Sequence, residues 1–139
     1  MAGELILDTG ALVSLLDRSQ PQHQRCAEFF SGWRQPVVST EAVLTEATYL
    51  LGRVPGGAAS CLEFFLRGGA MLVPSSQSSL LRCQELLRKY HDLPMDFADA
   101  TLVTLAEELD TPRIFTTDRR DFSVYRFGSN KPFQILPES

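Results

Sequence analysis

Asp8, Glu46, Asp99 and Asp118 are the acids of this chain whose types and surroundings suggest joint chemistry. Asp8 ends the unbroken apolar run Leu5-Ile6-Leu7, and Asp118 follows Arg113-Ile114-Phe115 after two threonines. Both therefore stand at the carboxyl end of what reads as a buried strand, the edge at which open α/β sheets bind ligands. Glu46 and Asp99 fall instead on helical patterns, Glu46 among Ala42, Val43, Tyr49 and Leu50, and Asp99 on the stripe of Leu102 and Val103. An unpaired charge on an inward stripe is costly. Four carboxylates in one cleft repel one another unless cations neutralise them. Oxygen-only ligands suit Mg²⁺ or Mn²⁺, and the lack of paired histidines or cysteines argues against zinc, copper or iron. A hard cation held in this way can bind a phosphate oxygen, orient a water and stabilise charge during displacement at phosphorus. Metal-assisted phosphodiester hydrolysis is the chemistry these residues suggest.

Each acid also has an ordinary structural use. An aspartate between a strand and a helix, as Asp8 is, commonly caps the helix. Asp96 follows Leu93-Pro94-Met95, sits where a cap belongs and can bond the Asp99 amide, so it is a candidate cap first and a candidate ligand second. Asp99 lies a full turn inward and is harder to explain as a cap. Asp118 can begin a turn with Asp121. Thr116 and Thr117 can bond a ligating carboxylate or simply suit a strand end. Thr117, Arg119 and Arg120 are the candidate substrate contacts, with two solvated arginines in a turn as the alternative. Arg82, Arg88 and Lys89 read as the solvated face of a helix, with phosphate binding as the alternative. His91, one of only two histidines, ends that helix and suits a helix-end contact better than a metal.

The chain has 139 residues, 44% of them hydrophobic, which fits a single domain over 1–139 with a proper core. Its formal charge of -4 argues against a broad basic surface for nucleic acid, though a bound cation reverses the local sign that a phosphate meets. Cys26, Cys61 and Cys83 are odd in number and far apart, which predicts reduced thiols and a cytoplasmic setting. No secretory pattern opens the sequence and no apolar run has the length of a membrane span.

Strand and helix patterns alternate along the chain. The run Leu5–Leu7 leads into a helix through Ala11, Leu12, Leu15 and Leu16 that ends near Asp17 and Arg18. A second helix over Gln22–Trp33 turns Cys26, Ala27, Phe29, Phe30 and Trp33 inward and leaves His23, Gln24, Arg25 and Glu28 on its other face. Pro36–Ser39 is a brief strand, after which Ser39 or Thr40 can cap a helix over about Glu41–Leu51, with Glu41 suited to its first turn and Gly52 its stop. Pro55-Gly56-Gly57 turns into a helix over Ala58–Arg67, closed by Gly68-Gly69. Ala70–Val73 reads as a third buried strand. Helices through Leu80–Tyr90 and Asp96–Leu109 follow, then a strand at Arg113–Phe115, a turn or short helix at Arg119–Phe122 and an edge strand at Phe133–Leu136.

Four segments resemble the PIN-domain family, and within it the VapC-type ribonuclease toxins of prokaryotic toxin-antitoxin pairs: ILDTGALVSLLD, VSTEAVLTEATYLL, LPMDFADATLVTLAEEL and IFTTDRRDF. The resemblance implies a three-layer α/β/α sandwich with a mostly parallel central sheet. It matches Asp8, Glu46, Asp99 and Asp118 to the acidic catalytic and metal-binding residues, and Asp96 to a position that is frequently acidic. It further implies a Mg²⁺- or Mn²⁺-dependent endoribonuclease that leaves 5′-phosphate and 3′-hydroxyl ends. Asp8, Asp99 and Glu46 would hold the principal ion, and Asp118 would complete the cluster or bind a second. The implied partners are RNA, a second copy of the chain and a small antitoxin whose extended tail covers the acidic groove. Haloacid-dehalogenase-like enzymes would need an aspartate where Gly10 stands, and response-regulator receivers one near Pro74-Ser75. The alternative from another class is a PIN-like module that binds RNA or a protein without cleaving; the complete acid set favours the enzyme.

Overall fold

Leu5, Ile6 and Leu7 form strand β1, and none of the three is exposed, as an apolar run requires when both faces of a sheet are covered. The computed structural model describes residues 3–138. The elements after β1 are α1 (Thr9–Leu16), α2 (His23–Gly32), β2 (Val37–Ser39), α3 (Glu41–Leu51), α4 (Gly57–Leu66), β3 (Met71–Leu72) and α5 (Gln77–Lys89). Then come α6 (Phe97–Leu109), β4 (Arg113–Phe115), α7 (Arg119–Phe122), β5 (Arg126–Phe127), β6 (Lys131–Pro132) and β7 (Gln134–Leu136).

The central sheet runs β3-β2-β1-β4-β7, with every pairing parallel. Ile6 stands opposite Val38 on one side and Ile114 on the other, and Leu7 opposite Phe115. From β1 the chain builds outward through β2 to β3, then returns to place β4 on the opposite side of β1. Right-handed crossovers in opposite directions put their helices on opposite faces. Accordingly α1 packs on α2 and α3, α3 packs on α4, and α5 packs on α6. The result is the expected three-layer sandwich, and its strand order reverses between β1 and β4. The carboxyl ends of those two strands bound the crevice where doubly wound folds bind ligands.

Several local expectations need correction. Met71 is 63% exposed and β3 lies at the sheet edge, so Ala70–Val73 is not a strand buried on both faces. Thr40 holds the cap position of α3 but makes no capping bond; its hydroxyl pairs with Thr101 at 2.9 Å, and the Ser39 hydroxyl donates to the Leu7 carbonyl at 2.7 Å. Both side chains tie β2 to neighbouring elements instead. α3 does run Glu41–Leu51 and stop at Gly52, which holds its C-cap in a right-handed conformation. The α3–α4 turn depends on Gly57, where a Cβ would stand 2.1 Å from the Leu51 carbonyl oxygen. Ser76 and Ser79 form a reciprocal cap at the start of α5.

The antiparallel pair β5–β6 lies outside every element read from the sequence. Phe122, Tyr125 and Phe127 are buried there, and Phe122 meets Tyr125 at 5.2 Å and Phe133 at 5.5 Å between ring centroids. The three cysteines are free and buried. Among the described residues no helix is long and apolar enough to cross a membrane.

Candidate active site

The Asp8 amide donates to the Phe115 carbonyl at 2.9 Å, which fixes the end of β1 against β4. Its carboxylate, 6% exposed, makes no side-chain capping bond to α1 and accepts instead from the Thr116 hydroxyl at 2.6 Å. Burial pushes the Asp8 carboxyl up to about 6; the Thr116 hydroxyl and the Thr9 amide oppose that rise, and the charges of Asp118 and Asp96 add to it. The Thr116 hydroxyl also accepts the Asp118 amide at 2.9 Å. One threonine thus orients the acid after β1 and the backbone of the acid after β4.

Glu46 reaches the crevice from α3, where the Thr9 hydroxyl donates to its Oε1 at 2.7 Å. Its carboxyl is raised by burial first, against the Thr9 bond, and also by Asp96 and the Asp8 charge. Asp96 and Asp99 form a reciprocal cap at the start of α6: Asp96 Oδ1 accepts the Asp99 amide at 2.9 Å, and Asp99 Oδ2 accepts the Asp96 amide at 3.4 Å. The capping reading of Asp96 is met, and Asp99, for all its inward position, shares in the cap. Asp99 Oδ2 also accepts from the Tyr125 hydroxyl at 3.3 Å. Burial pushes the Asp99 carboxyl up to about 8, with the charges of Asp8 and Asp96 next in size.

Asp118 caps α7, accepting the Asp121 amide at 3.1 Å, so the turn suggested for these two residues exists. Asp121 is raised by burial first and then by Asp118 beside it. Asp8, Asp96 and Asp99 therefore act on one another, Glu46 joins through Asp96 and Asp8, and Asp118 joins through Asp8. None of the leading influences on Asp8, Glu46 or Asp99 is a basic side chain. Among the described residues no three acids are drawn into a closed metal-binding cluster. Asp8, Glu46, Asp96 and Asp118 each accept a hydrogen bond from a nearby hydroxyl or amide.

The PIN domain family model matches residues 5–128. This chain belongs to the PIN-domain family. A VapC-type relative, Ribonuclease VapC26 of Mycobacterium tuberculosis, is 31% identical over 135 residues, which is 96% of this chain and 100% of the relative. Among solved structures, Mycobacterium tuberculosis VapC20, a Sarcin-Ricin loop cleaving toxin, is similar with a TM-score of 0.77 and 17% identity, over 84% of this chain and 91% of the other. VapBC2 from Rickettsia felis, bound to a DNA fragment from its promoter, is similar with a TM-score of 0.63 and 15% identity, over 95% and 98% of the two chains. At these identities the two structural likenesses are likenesses of fold.

In this PIN domain the donor set fits a hard divalent cation, since every candidate ligand is a carboxylate oxygen and no basic side chain is a leading influence on Asp8, Glu46 or Asp99. The candidate substrate contacts are less uniform. Thr117 is exposed, and its hydroxyl packs where a Cβ on Gly10 would stand 2.3 Å away, so Gly10 lets the loop after β4 close on the first turn of α1. Arg119 donates to the Pro137 carbonyl at 2.8 Å, whereas Arg120 is exposed beside Asp121. Arg82 is committed to Glu107 at 2.8 and 2.9 Å and to Glu85 at 3.1 Å, which ties α5 to α6. His91 Nδ1 donates to the Arg88 carbonyl at 3.1 Å, a helix-end contact as expected. Thr9 and Tyr125 were not singled out by sequence reasoning. Adjacency to Asp8 was a signal for Thr9; Tyr125 carried none, because no periodic pattern covers its segment.

Proposed function

We propose that this PIN-domain protein is a Mg²⁺- or Mn²⁺-dependent endoribonuclease, the toxin of a type II toxin-antitoxin pair. The observation that carries the reading is the mutual influence of carboxylates from β1, α3 and α6 at the strand-order reversal, Asp8 buried and Glu46 and Asp99 half-buried, with Asp8 and Asp99 raised to about 6 and about 8 by burial and by other acids. In this reading Asp8, Asp99 and Glu46 hold the principal cation, and Asp118 completes the set or holds a second ion, with Asp96 a further candidate ligand. A bound cation supplies positive charge to a phosphate oxygen and acidifies water for attack at phosphorus. Thr116 keeps the Asp8 carboxylate in place, and Tyr125 does the same for Asp99. An open groove of about 450 Å³ lined by Glu41, Thr45, Glu46, Asp96 and Phe97 adjoins the acids and gives the substrate strand room to reach them.

The nearly full-length VapC26 relative supports RNA as substrate, and the likeness to a VapBC structure supports a cognate antitoxin as partner. Homodimerisation and a cytoplasmic location belong to the same proposal; the three free thiols accord with a reducing compartment. The direct test incubates the purified chain with single-stranded RNA in EDTA, in Mg²⁺ and in Mn²⁺. Cleavage to 5′-phosphate ends in either cation, and none in EDTA, is expected. RNA bound but uncut under all three conditions would make the protein a binding module.

Thr116→Val removes the donor to Asp8 and the acceptor for the Asp118 amide while keeping the side-chain shape. Cleavage should fall about 10–100-fold, the usual cost of losing a group that orients a ligand, with about 1–3 kcal/mol of stability lost in urea denaturation. Thr116→Ser keeps both bonds and should retain most of the activity. Equal loss in the valine and serine variants would remove the hydroxyl from the account.

A further inference from the structure

Beside the acids, on the side of Thr116 that faces β7, the charge changes sign. Gln22, Arg25, Thr117, Arg119 and Pro137 line a shallow cavity there, and Thr116 is the wall it shares with the acidic crevice. Arg25 comes from α2 and Arg119 from α7, and the two guanidiniums converge on one oxygen. Arg119 Nη1 donates to the Pro137 carbonyl at 2.8 Å; Arg25 Nη2 donates to the same carbonyl at 3.2 Å and also to the Glu138 carbonyl. Among the described residues neither arginine is in an ion pair, whereas Arg67, Arg82 and Lys131 each are. A guanidinium carries five donors in a planar fork that matches a phosphate, and its bonds to neutral carbonyls are weaker than bonds to an anion.

We infer that Arg25 and Arg119 form an anion subsite that takes an RNA phosphate neighbouring the one held at the acids. A polyanion laid across the carboxyl edge of the sheet meets a strongly acidic crevice in a protein of net charge -4. Cations at the acids compensate only the phosphate they touch, so a neighbouring phosphate needs a positive partner of its own. This cavity supplies two positive charges where the strand leaves the crevice. Its free volume of about 30 Å³ admits a phosphate oxygen rather than a nucleotide, so the base and sugar remain outside. Bonds from the two arginines to a phosphate replace or join those to the Pro137 and Glu138 carbonyls. The inference rests on the ribonuclease reading.

The test measures binding of a fluorescent single-stranded RNA in Mg²⁺ across a salt series, in the full chain carrying Asp99→Asn so that the RNA stays intact. Adding Arg25→Gln or Arg119→Gln should weaken binding severalfold and make the plot of log affinity against log salt shallower by about 0.7 per lost phosphate contact. Arg25→Lys should keep the slope, and Arg34→Gln, past the end of α2, should change neither quantity. Unchanged affinity and slope in both glutamine variants, with the parent binding RNA, would overturn the subsite. A lowered melting temperature with unchanged RNA binding would overturn it too, leaving the arginines as anchors for the segment after β7. If the parent binds no RNA and the unmutated chain cuts none, the ribonuclease reading fails first and the subsite falls with it.

Discussion

Asp99→Asn is expected to lower cation-dependent RNA cleavage by on the order of 10²–10³-fold or more, the scale seen when a preorganised electrostatic group is removed from a reaction centre, without lowering the melting temperature in EDTA. The two halves of this result follow from one arrangement. Asp99 is raised to about 8 by its partial burial first and then by the charges of Asp8 and Asp96, so its ionised form costs the folded protein free energy at neutral pH. Asparagine has nearly the same shape and cannot ionise. Its carbonyl oxygen can still accept from the Tyr125 hydroxyl and the Asp96 amide, the two bonds that Asp99 Oδ2 accepts. The variant therefore loses a proposed cation ligand and little else. Asp8→Asn should behave alike, since an amide oxygen can accept from Thr116 as the carboxylate does. An acid retained only to cap α6 would give another pattern: a stability loss of about 1 kcal/mol from a weakened cap, with cleavage nearly intact. Full activity in both asparagine variants would end the metal-site proposal.

The elements that position these acids were largely visible in the sequence, because each obeys a local rule. A strand covered on both faces shows no alternation, which locates β1 and β4, and helical period alone sets Asp99 on the stripe of the buried Leu102 and Val103; Glu46 is half-buried, but the stripe read around it is only partly inward, since Tyr49 is 83% and Leu50 39% exposed. What escaped the sequence was set by distant partners. Ser39 and Thr40 have the chemistry of helix caps, yet the Leu7 carbonyl and the Thr101 hydroxyl take their hydroxyls, and no local pattern announces either partner. Ala70–Val73 is as apolar as a central strand, and only the order of the sheet shows that it lies at an edge. The β5–β6 pair has two residues per strand, too few for a period to register; its turn does carry Gly128 and Asn130, both with positive φ. Tyr125 is brought to Asp99 from the loop before that pair. Arg25 read correctly as lying off the apolar face of α2, but its carbonyl partners come from the far end of the chain.

In EDTA the folded protein should lose stability as pH rises from about 4 to about 8. Asp8 and Asp99 have ordinary values of 3.8 and are raised to about 6 and about 8 in the fold. Between these limits the folded state keeps protons that the unfolded chain has released, so raising pH favours unfolding; below the window both states are protonated, and above it both are ionised. The rise at fully buried Asp8 corresponds to about 3 kcal/mol. Asp99 adds to the loss in the same direction, and solvent reaching its carboxyl screens part of that contribution. Asp17, held down to about 2 by Gln20 and Ser19, works in the opposite sense, but its stabilisation is lost only as pH falls below its ordinary value, outside this window. Urea titrations across the range should show the decline, and Asp99→Asn should flatten much of it; a flat profile in the unmutated protein would contradict mutual repulsion among the acids. Adding Mg²⁺ or Mn²⁺ makes the sharper test. A cation bound by these carboxylates competes with their protons, so its stabilisation, about 2.7 kcal/mol at a hundred times its dissociation constant, should be largest near pH 8 and fade toward pH 5. A cation gain equal at both pH values would place the ion away from Asp8 and Asp99.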